Sequence, residues 1–228
     1  MKRSREMKKI SEINSAIEEL SMLAVVKPGG NHEIAHISTR PFLSLCYFVL
    51  QVLDKIGPTM AVLRQDVHQN IKRLELGYEL DPSMNSNLVE ILKTEASKGK
   101  ARKRSSCSKA FLWLTRSLDF SSTLLQTLEK DSKKNMEQIV QEAYDATLSP
   151  WHGWISSAAF RANLKASAQV AIKLVPDSKT FMDLLKEKDE NCDTLKEKMK
   201  ILVSFLVPFL EDVHSILKMY NLDRIKST

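Results

Sequence analysis

Apolar residues recur every three or four positions along almost the whole chain, which is the period of an amphipathic α-helix. Connectors rich in Pro, Gly, Asp or charge interrupt the pattern and predict about eight helices. We therefore expect an all-α protein. The expected helices are 4–24, Phe42 to Leu53, a helix after Thr59 that contains Asp66, Asn87 to Ala96, Lys109 to Lys130, Ser132 to Leu148, Asp177 to Glu187 and Thr194 to Tyr220.

Two of these helices depart from simple amphipathicity. The stretch from Phe42 to Leu53 is apolar nearly all round, which predicts a central buried helix. The last helix contains Pro208, where we expect a kink, because proline removes one backbone hydrogen bond and crowds the preceding turn.

The helix that contains Asp66 has a polar group at the shoulder of its apolar face. At about 100° per residue, Asp66, Asn70 and Arg73 share one sector. The neighbouring sector is apolar and consists of Leu63, Val67, Ile71 and Leu74. A carboxylate, an amide and a cation placed there can bind a polyhydroxylated head whose apolar part is buried alongside. The competing interpretation is an intrahelical ion pair near the surface.

Trp113 lies at the edge of the apolar face of its helix, and Lys109 and Arg116 flank it. An indole bordered by cations suits stacking against a sugar ring or another planar group. A core tryptophan with two cations that extend to solvent fits the same pattern.

A third unusual stretch is Trp151-His152-Gly153-Trp154, directly after Pro150. Proline marks a helix start, where backbone N–H groups are free to bind an acceptor. His152 can donate one hydrogen bond inward, and Trp151 and Trp154 are amphipathic residues typical of membrane interfaces. Alternatively, the indoles pack around a core histidine.

Composition narrows the class of protein only slightly. The 228 residues are 43% hydrophobic and 27% charged, an ordinary globular balance, and the net charge of +6 mildly favours an anionic partner such as a membrane surface or nucleic acid. The basic stretch from Lys98 to Arg104 can contact phosphates, act as a nuclear-localisation patch or form a solvated loop. We expect a basic N-terminal helix and flexible linker over 1–36, followed by one domain over 37–228.

The spacing of the Cys and His residues does not indicate a catalytic or metal-binding site. Cys46, Cys107 and Cys192 are widely spaced, which predicts three reduced thiols in a cytosolic protein. His32 and His36 lack a nearby third ligand, so we expect no metal and no cofactor. The sequence shows no signal-peptide pattern, and its longest apolar runs are shorter than the roughly 20 residues that span a bilayer.

Taken in order, three stretches resemble the glycolipid transfer protein family, and its plant members in particular. They are Asp66-x-x-x-Asn70-x-x-Arg73, then Leu112-Trp113-Leu114-Thr115-Arg116-Ser117-Leu118, then Trp151-His152-Gly153-Trp154-Ile155. The resemblance runs from about Phe42 to Tyr220. It implies a two-layer helical sandwich that encloses an apolar lipid pocket, and a cytosolic, non-enzymatic, monomeric carrier that contacts membranes transiently.

The resemblance also implies a role for each matching residue. Asp66 and His152 would bind the amide and the neighbouring hydroxyl of a ceramide, and Asn70 and Arg73 would bind sugar hydroxyls. Trp113 would be the platform under the sugar ring. The two tryptophans of the third stretch, Trp151 and Trp154, would dock on the membrane.

Three departures from the family pattern bear on this interpretation. Position 73 is Arg where animal glycolipid carriers have Lys, and Lys109 lies where ceramide-1-phosphate carriers place an Arg for the phosphate. About eight surplus residues near 162–169 bear on whether transfer is intact.

The glycosylated sphingolipid is the expected ligand, and ceramide-1-phosphate is the alternative. A nucleic-acid-binding module and an enzyme with His152 and Asp66 as an acid/base pair are the remaining alternatives.

Overall fold

The structure is a computed structural model that describes residues 11–23, 35–131, 134–153, 158, 160–162 and 175–226. Eight α-helices lie wholly within these residues: α1 Glu12–Met22, α2 Thr39–Ile56, α3 Ala61–Leu80, α4 Leu88–Ser97, α5 Cys107–Lys130, α6 Met136–Thr147, α7 Ser178–Leu185 and α8 Cys192–Met219. A 3-10 helix, Pro58–Met60, leads into α3, and one isolated β-bridge joins Ser38 to Asn87. The predicted all-α class is confirmed.

The helix starts follow the capping side chains. Ser106 accepts a hydrogen bond from the Lys109 amide, so α5 begins two residues before the predicted start. Asn135 caps α6, which begins four residues after the predicted start at Ser132. Pro208 lies inside α8, and the helix continues across it. Residues 4–10 and 24 of the predicted helix 4–24 lie outside the described residues.

The core is built around α5, which packs against α2, α3, α4, α6 and α8. Every side chain from Ala110 to Leu118 is buried. The predicted central burial of α2 is confirmed, since this helix packs against α1, α3, α5 and α7. Its Phe42 ring meets the Phe111 ring edge-on with centroids 4.9 Å apart.

The first helix shares this core. α1 packs against α2 and α8 and buries Ile13, Ala16 and Leu20. Glu187 accepts hydrogen bonds from the Ser11 amide and the Asn14 side chain at 3.1 and 3.0 Å. Residues 11–23 are therefore packed with the rest of the protein, and the division at residue 36 stays a prediction about folding units.

Close contacts hold α3 and α4 against the start of α5. Glu95 accepts hydrogen bonds from the amides of Cys107 and Ser108 at 3.0 and 2.7 Å. A Cβ atom on Gly77 would lie only 2.7 Å from the Cys107 Sγ, so glycine permits the close approach of α3 to α5.

Candidate functional site

Hydrogen bonds join the three polar residues on the shoulder of α3. The Asn70 Nδ2 donates to the Asp66 Oδ2 at 3.3 Å and to the Asp66 carbonyl at 2.9 Å. The Arg73 Nη1 donates to the Asn70 Oδ1 at 2.8 Å. Asn70 is buried, whereas Asp66 remains exposed. The chain of contacts therefore ends in a carboxylate that is open to further donors.

The Asp66 carboxylate is reached by solvent, yet the protein around it disfavours its charge. Desolvation raises the pKa of Asp66 above its ordinary value. The Arg73 charge, the Asn70 hydrogen bond and the Lys109 charge act in the opposite direction without cancelling it. A ligand that donates hydrogen bonds to this carboxylate would offset the desolvation of its charge.

Lys109 connects this group to α5. Its charge acts on Asp66, and its backbone lies one turn before Trp113, about 6 Å along the helix. Residues 66, 70 and 73 on α3 therefore lie beside the part of α5 that carries Trp113. We call Asp66, Asn70, Arg73, Lys109, Trp113 and His152 the polar site.

Trp113 and His152 stack on each other. Their ring centroids are 5.4 Å apart with 28° between the planes. Trp113 is only 7% exposed, so a sugar ring would have to displace a neighbouring group to cover a whole face of the indole. Its platform role stays a prediction.

His152 is held on its other side by Tyr144. The Tyr144 hydroxyl and the His152 Nδ1 are 2.9 Å apart. When that hydroxyl donates, Nδ1 is the acceptor and the proton of the neutral ring lies on Nε2. Desolvation and then the Arg116 charge lower the pKa of His152, which favours the neutral imidazole. Neutral His152 then offers Nε2–H as a donor.

Arg116 is the residue whose importance the sequence did not reveal. The sequence shows it only as a cation flanking Trp113, whereas the structure buries it to 2% exposure. Its guanidinium carbon lies 4.8 Å from the Trp113 ring centroid and 4.1 Å from that of Trp151. Its nitrogens donate to the carbonyls of Asp223 and Ile225.

The predicted membrane-docking residues are only partly visible. Trp151 is half-buried against Arg116, which limits the surface it offers. Trp154 and most of the surplus stretch 162–169 lie outside the described residues. Within the described ranges, no helix is both long and apolar enough to cross a bilayer.

Metal-ligand geometry is absent from the same ranges, where no three His, Cys, Asp or Glu side chains cluster to coordinate an ion. His36 is described and His32 is not.

A family model described as "Glycolipid transfer protein (GLTP)" matches residues 37–187, well over half of the chain. This chain belongs to the glycolipid transfer protein family. Among the relatives, glycolipid transfer protein 2 of Arabidopsis thaliana is 50% identical over 230 residues, which cover 100% of both chains. The sequence resemblance is thereby confirmed.

Solved structures confirm the glycolipid transfer protein fold. One concerns how FAPP2 selects simple glycosphingolipids using this fold; it is similar with a TM-score of 0.80 and 23% identity, covering 96% of this chain and 100% of that one. Mouse ceramide-1-phosphate transfer protein in its apo-form gives a TM-score of 0.80 at 16% identity, covering 95% and 100%. At these identities the likeness establishes the fold alone.

Proposed function

We propose that this chain is a non-enzymatic carrier that moves a glycosphingolipid between membranes. The observation that carries the proposal is the hydrogen-bonded series from Arg73 through Asn70 to the exposed Asp66. An amide and a guanidinium hold sugar hydroxyls, and a carboxylate accepts from an amide N–H and a hydroxyl. The 50% identity with an Arabidopsis glycolipid transfer protein supports the same class of ligand.

Different residues of the polar site would bind the ceramide amide and the sugar. Asp66 and the Nε2–H of His152 would bind the ceramide amide, Asp66 accepting from the N–H and His152 donating to the carbonyl. Asn70 and Arg73 would bind the sugar hydroxyls, with Trp113 beneath the ring. Each of these groups favours a head group that pairs with it, because a polar group that the bound lipid covers and leaves without a hydrogen bond costs binding free energy.

The two hydrocarbon chains would lie in an apolar pocket between the helices. Each buried CH₂ contributes about 0.8 kcal/mol, so a ceramide leaves a membrane extremely slowly unless an apolar host receives it. The protein would act in the cytosol, as a monomer, in transient contact with membrane surfaces through Trp151 and Trp154. Three free cysteines and a net charge of +6 support this setting.

Ceramide-1-phosphate is the second candidate ligand. Lys109 and Arg73 both place positive charge on Asp66, and together they could receive a phosphate. A structural neighbour is a ceramide-1-phosphate transfer protein. An amide at 70 and an indole at 113 suit a neutral head better than an anionic one, so we favour the sugar.

Vesicle-to-vesicle transfer of labelled glucosylceramide and labelled ceramide-1-phosphate, run side by side, tests the proposal. We expect glucosylceramide to move faster. Asp66→Val should slow it by about 10- to 100-fold, because losing a hydrogen bond to a charged partner costs about 1.5–3 kcal/mol. The matched control is Asp54→Val, which removes an exposed carboxylate paired with Arg64.

The outcomes separate the candidates. Faster ceramide-1-phosphate would move the head to Lys109 and Arg73. Wild-type rates in the Asp66→Val protein would remove the basis of the site assignment. Movement of neither lipid by a folded, monodisperse protein would refute the carrier function.

A further inference from the structure

Arg116 ties the end of the chain to the polar site. It lies on α5, three residues after Trp113, and is among the largest fully buried side chains. Its Nη1 donates to the Ile225 carbonyl at 2.7 Å and its Nη2 to the Asp223 carbonyl at 2.8 Å. A buried charge without partners is strongly unfavourable, so these two carbonyls hold residues 221–226, which we call the C-terminal segment, against α5.

The same guanidinium contacts Trp113 within the polar site and Trp151 beside it. Its carbon is 4.8 Å from the Trp113 ring centroid and 4.1 Å from the Trp151 ring centroid. Trp113 in turn stacks on His152 at 5.4 Å. One cation therefore connects the C-terminal segment with the indole and, through it, with the imidazole.

Charge adds a second connection. Burial lowers the pKa of Arg116 to about 10, which leaves it protonated at neutral pH. Its charge contributes to the lowered pKa of His152, after desolvation. Arg116 thus supports the neutral form of His152 that can donate from Nε2.

We propose that Arg116 is a positioning residue, and that the docked C-terminal segment is required for Trp113 and His152 to keep the arrangement that binds the head group. The consequence for lipid rests on the proposed carrier function. The connection itself can be measured without any lipid.

Lysine cannot replace this arginine. The guanidinium is planar and forked, so it donates to two carbonyls while its faces meet the indoles. An ammonium keeps the charge but loses the fork and the flat stacking surface. Arg116→Lys therefore separates geometry from charge, and Arg116→Gln removes the charge.

The chain offers a matched control in Arg102. Its Nη2 donates to the Asn221 carbonyl at 3.0 Å, also in the C-terminal segment, but Arg102 is exposed. Arg102→Lys should change every readout by less than about twofold, since exposed polar contacts are worth little.

The first measurement uses the full chain without lipid. We expect Arg116→Lys to increase acrylamide quenching of the tryptophans and to speed exchange of the Leu222 and Ile225 amides, which donate to Leu217 and Leu222. Arg116→Gln should also raise the pKa of His152, followed by NMR of its ring carbons. A purely structural defect would not raise the pKa of His152 in Arg116→Gln while Arg116→Lys, which keeps the charge, leaves it unchanged.

The second measurement is a double-mutant cycle in glucosylceramide transfer. Ile225→Gly keeps the carbonyl but loosens the half-buried end of the C-terminal segment. We expect about a tenfold loss from Arg116→Lys or from Ile225→Gly, and no further loss in the combined variant, because both act through one contact.

Independent losses that multiply would overturn the proposal, as would unchanged quenching and exchange in Arg116→Lys. If that protein does not fold, Ile225→Gly decides: quenching and transfer at wild-type level would overturn it. If the wild type moves no glucosylceramide while the lipid-free changes occur, the carrier function fails and the positioning role stands.

Discussion

Asp66 is a residue at which folding and binding make opposite demands. Its pKa is raised by desolvation although Arg73, Asn70 and Lys109 all act to lower it. The folded protein therefore binds a proton more tightly than the unfolded chain does. Stability from this group is present below the ordinary pKa of 3.8 and is lost as pH rises through the folded pKa. At neutral pH the charged carboxylate opposes folding.

We therefore predict that Asp66→Asn stabilises the protein at pH 7 while it weakens capture of glucosylceramide. The amide keeps an acceptor oxygen for Asn70 but carries no charge to desolvate. Urea unfolding at pH 7 should show a higher free energy of unfolding than the wild type, and the difference should shrink towards pH 4.

Asp81 provides the matched control of opposite sign. The Ser83 hydroxyl and then the Met84 amide lower the pKa of Asp81, so its charge favours folding. Asp81→Asn should lower the free energy of unfolding and leave capture unchanged. An Asp66→Asn protein less stable than the wild type at pH 7 would contradict the desolvation argument.

Some of these residues could be identified from sequence because helix geometry is fixed. Asp66, Asn70 and Arg73 had to share a face once a helix was predicted there. The partners of Arg116 could not be foreseen, since they are backbone carbonyls more than 100 residues away, and any residue type supplies a carbonyl. The Trp113–His152 stack likewise depends on how α5 meets the residues after α6.

At the scale of elements, the approach of α3 to α5 sets the distance between the α3 residues of the polar site and those on α5. Gly77 faces Cys107, whose Sγ also donates weakly to the Arg73 carbonyl at 3.7 Å. Burial raises the pKa of the Cys107 thiol to about 11, so it is an inert packing group.

We predict that Gly77→Ala lowers the free energy of unfolding by about 1 kcal/mol. Overpacking costs about 1–3 kcal/mol, and replacing a helical glycine with alanine returns about 1 kcal/mol. Introduced into a Cys107→Ala background, the same substitution should instead stabilise by up to about 1 kcal/mol, because the Sγ is gone. Chemical denaturation of the four proteins measures both effects.

One result would contradict this prediction for Gly77→Ala. If Gly77→Ala has the same effect in both backgrounds, the Cys107 Sγ does not limit the approach of α3 to α5. Glucosylceramide transfer by the Gly77→Ala protein should fall and recover in the double variant, since separating the helices moves Asp66 away from Lys109.

Helix existence could be predicted more securely than helix ends. The apolar period identified each of the eight helices that lie wholly within the described residues, because burying one face requires it. The observed starts of α5 and α6 differ from the predicted starts by two and four residues. Several polar residues near each start could serve as the cap, and the sequence does not show that Ser106 and Asn135 are the ones that do.

For the molecule as a whole, α5 connects the hydrophobic core with the polar site. It packs against α2, α3, α4, α6 and α8, and its first three turns carry Lys109, Trp113 and Arg116. A lipid that fills space beside α5 and pairs with these side chains would bind only the folded protein.

Binding that is restricted to the folded state must raise thermal stability. At free lipid 100 times above Kd the gain is about 2.7 kcal/mol. For a domain of this size each kcal/mol raises Tm by about 2–4 °C, so we expect an increase of about 5–10 °C with a soluble short-chain glucosylceramide. Differential scanning calorimetry of the full chain measures it.

The controls separate capture from surface contact. Vesicles without sphingolipid can engage Trp151 or basic residues but offer nothing to Asp66 and Asn70, so they should leave Tm almost unchanged. Asp66→Asn should begin from a higher Tm and gain less from the lipid, because its desolvated charge and its strongest acceptor are lost together. A lipid-induced increase as large as that of the wild type would place the head group away from α3, whatever the transfer rates show.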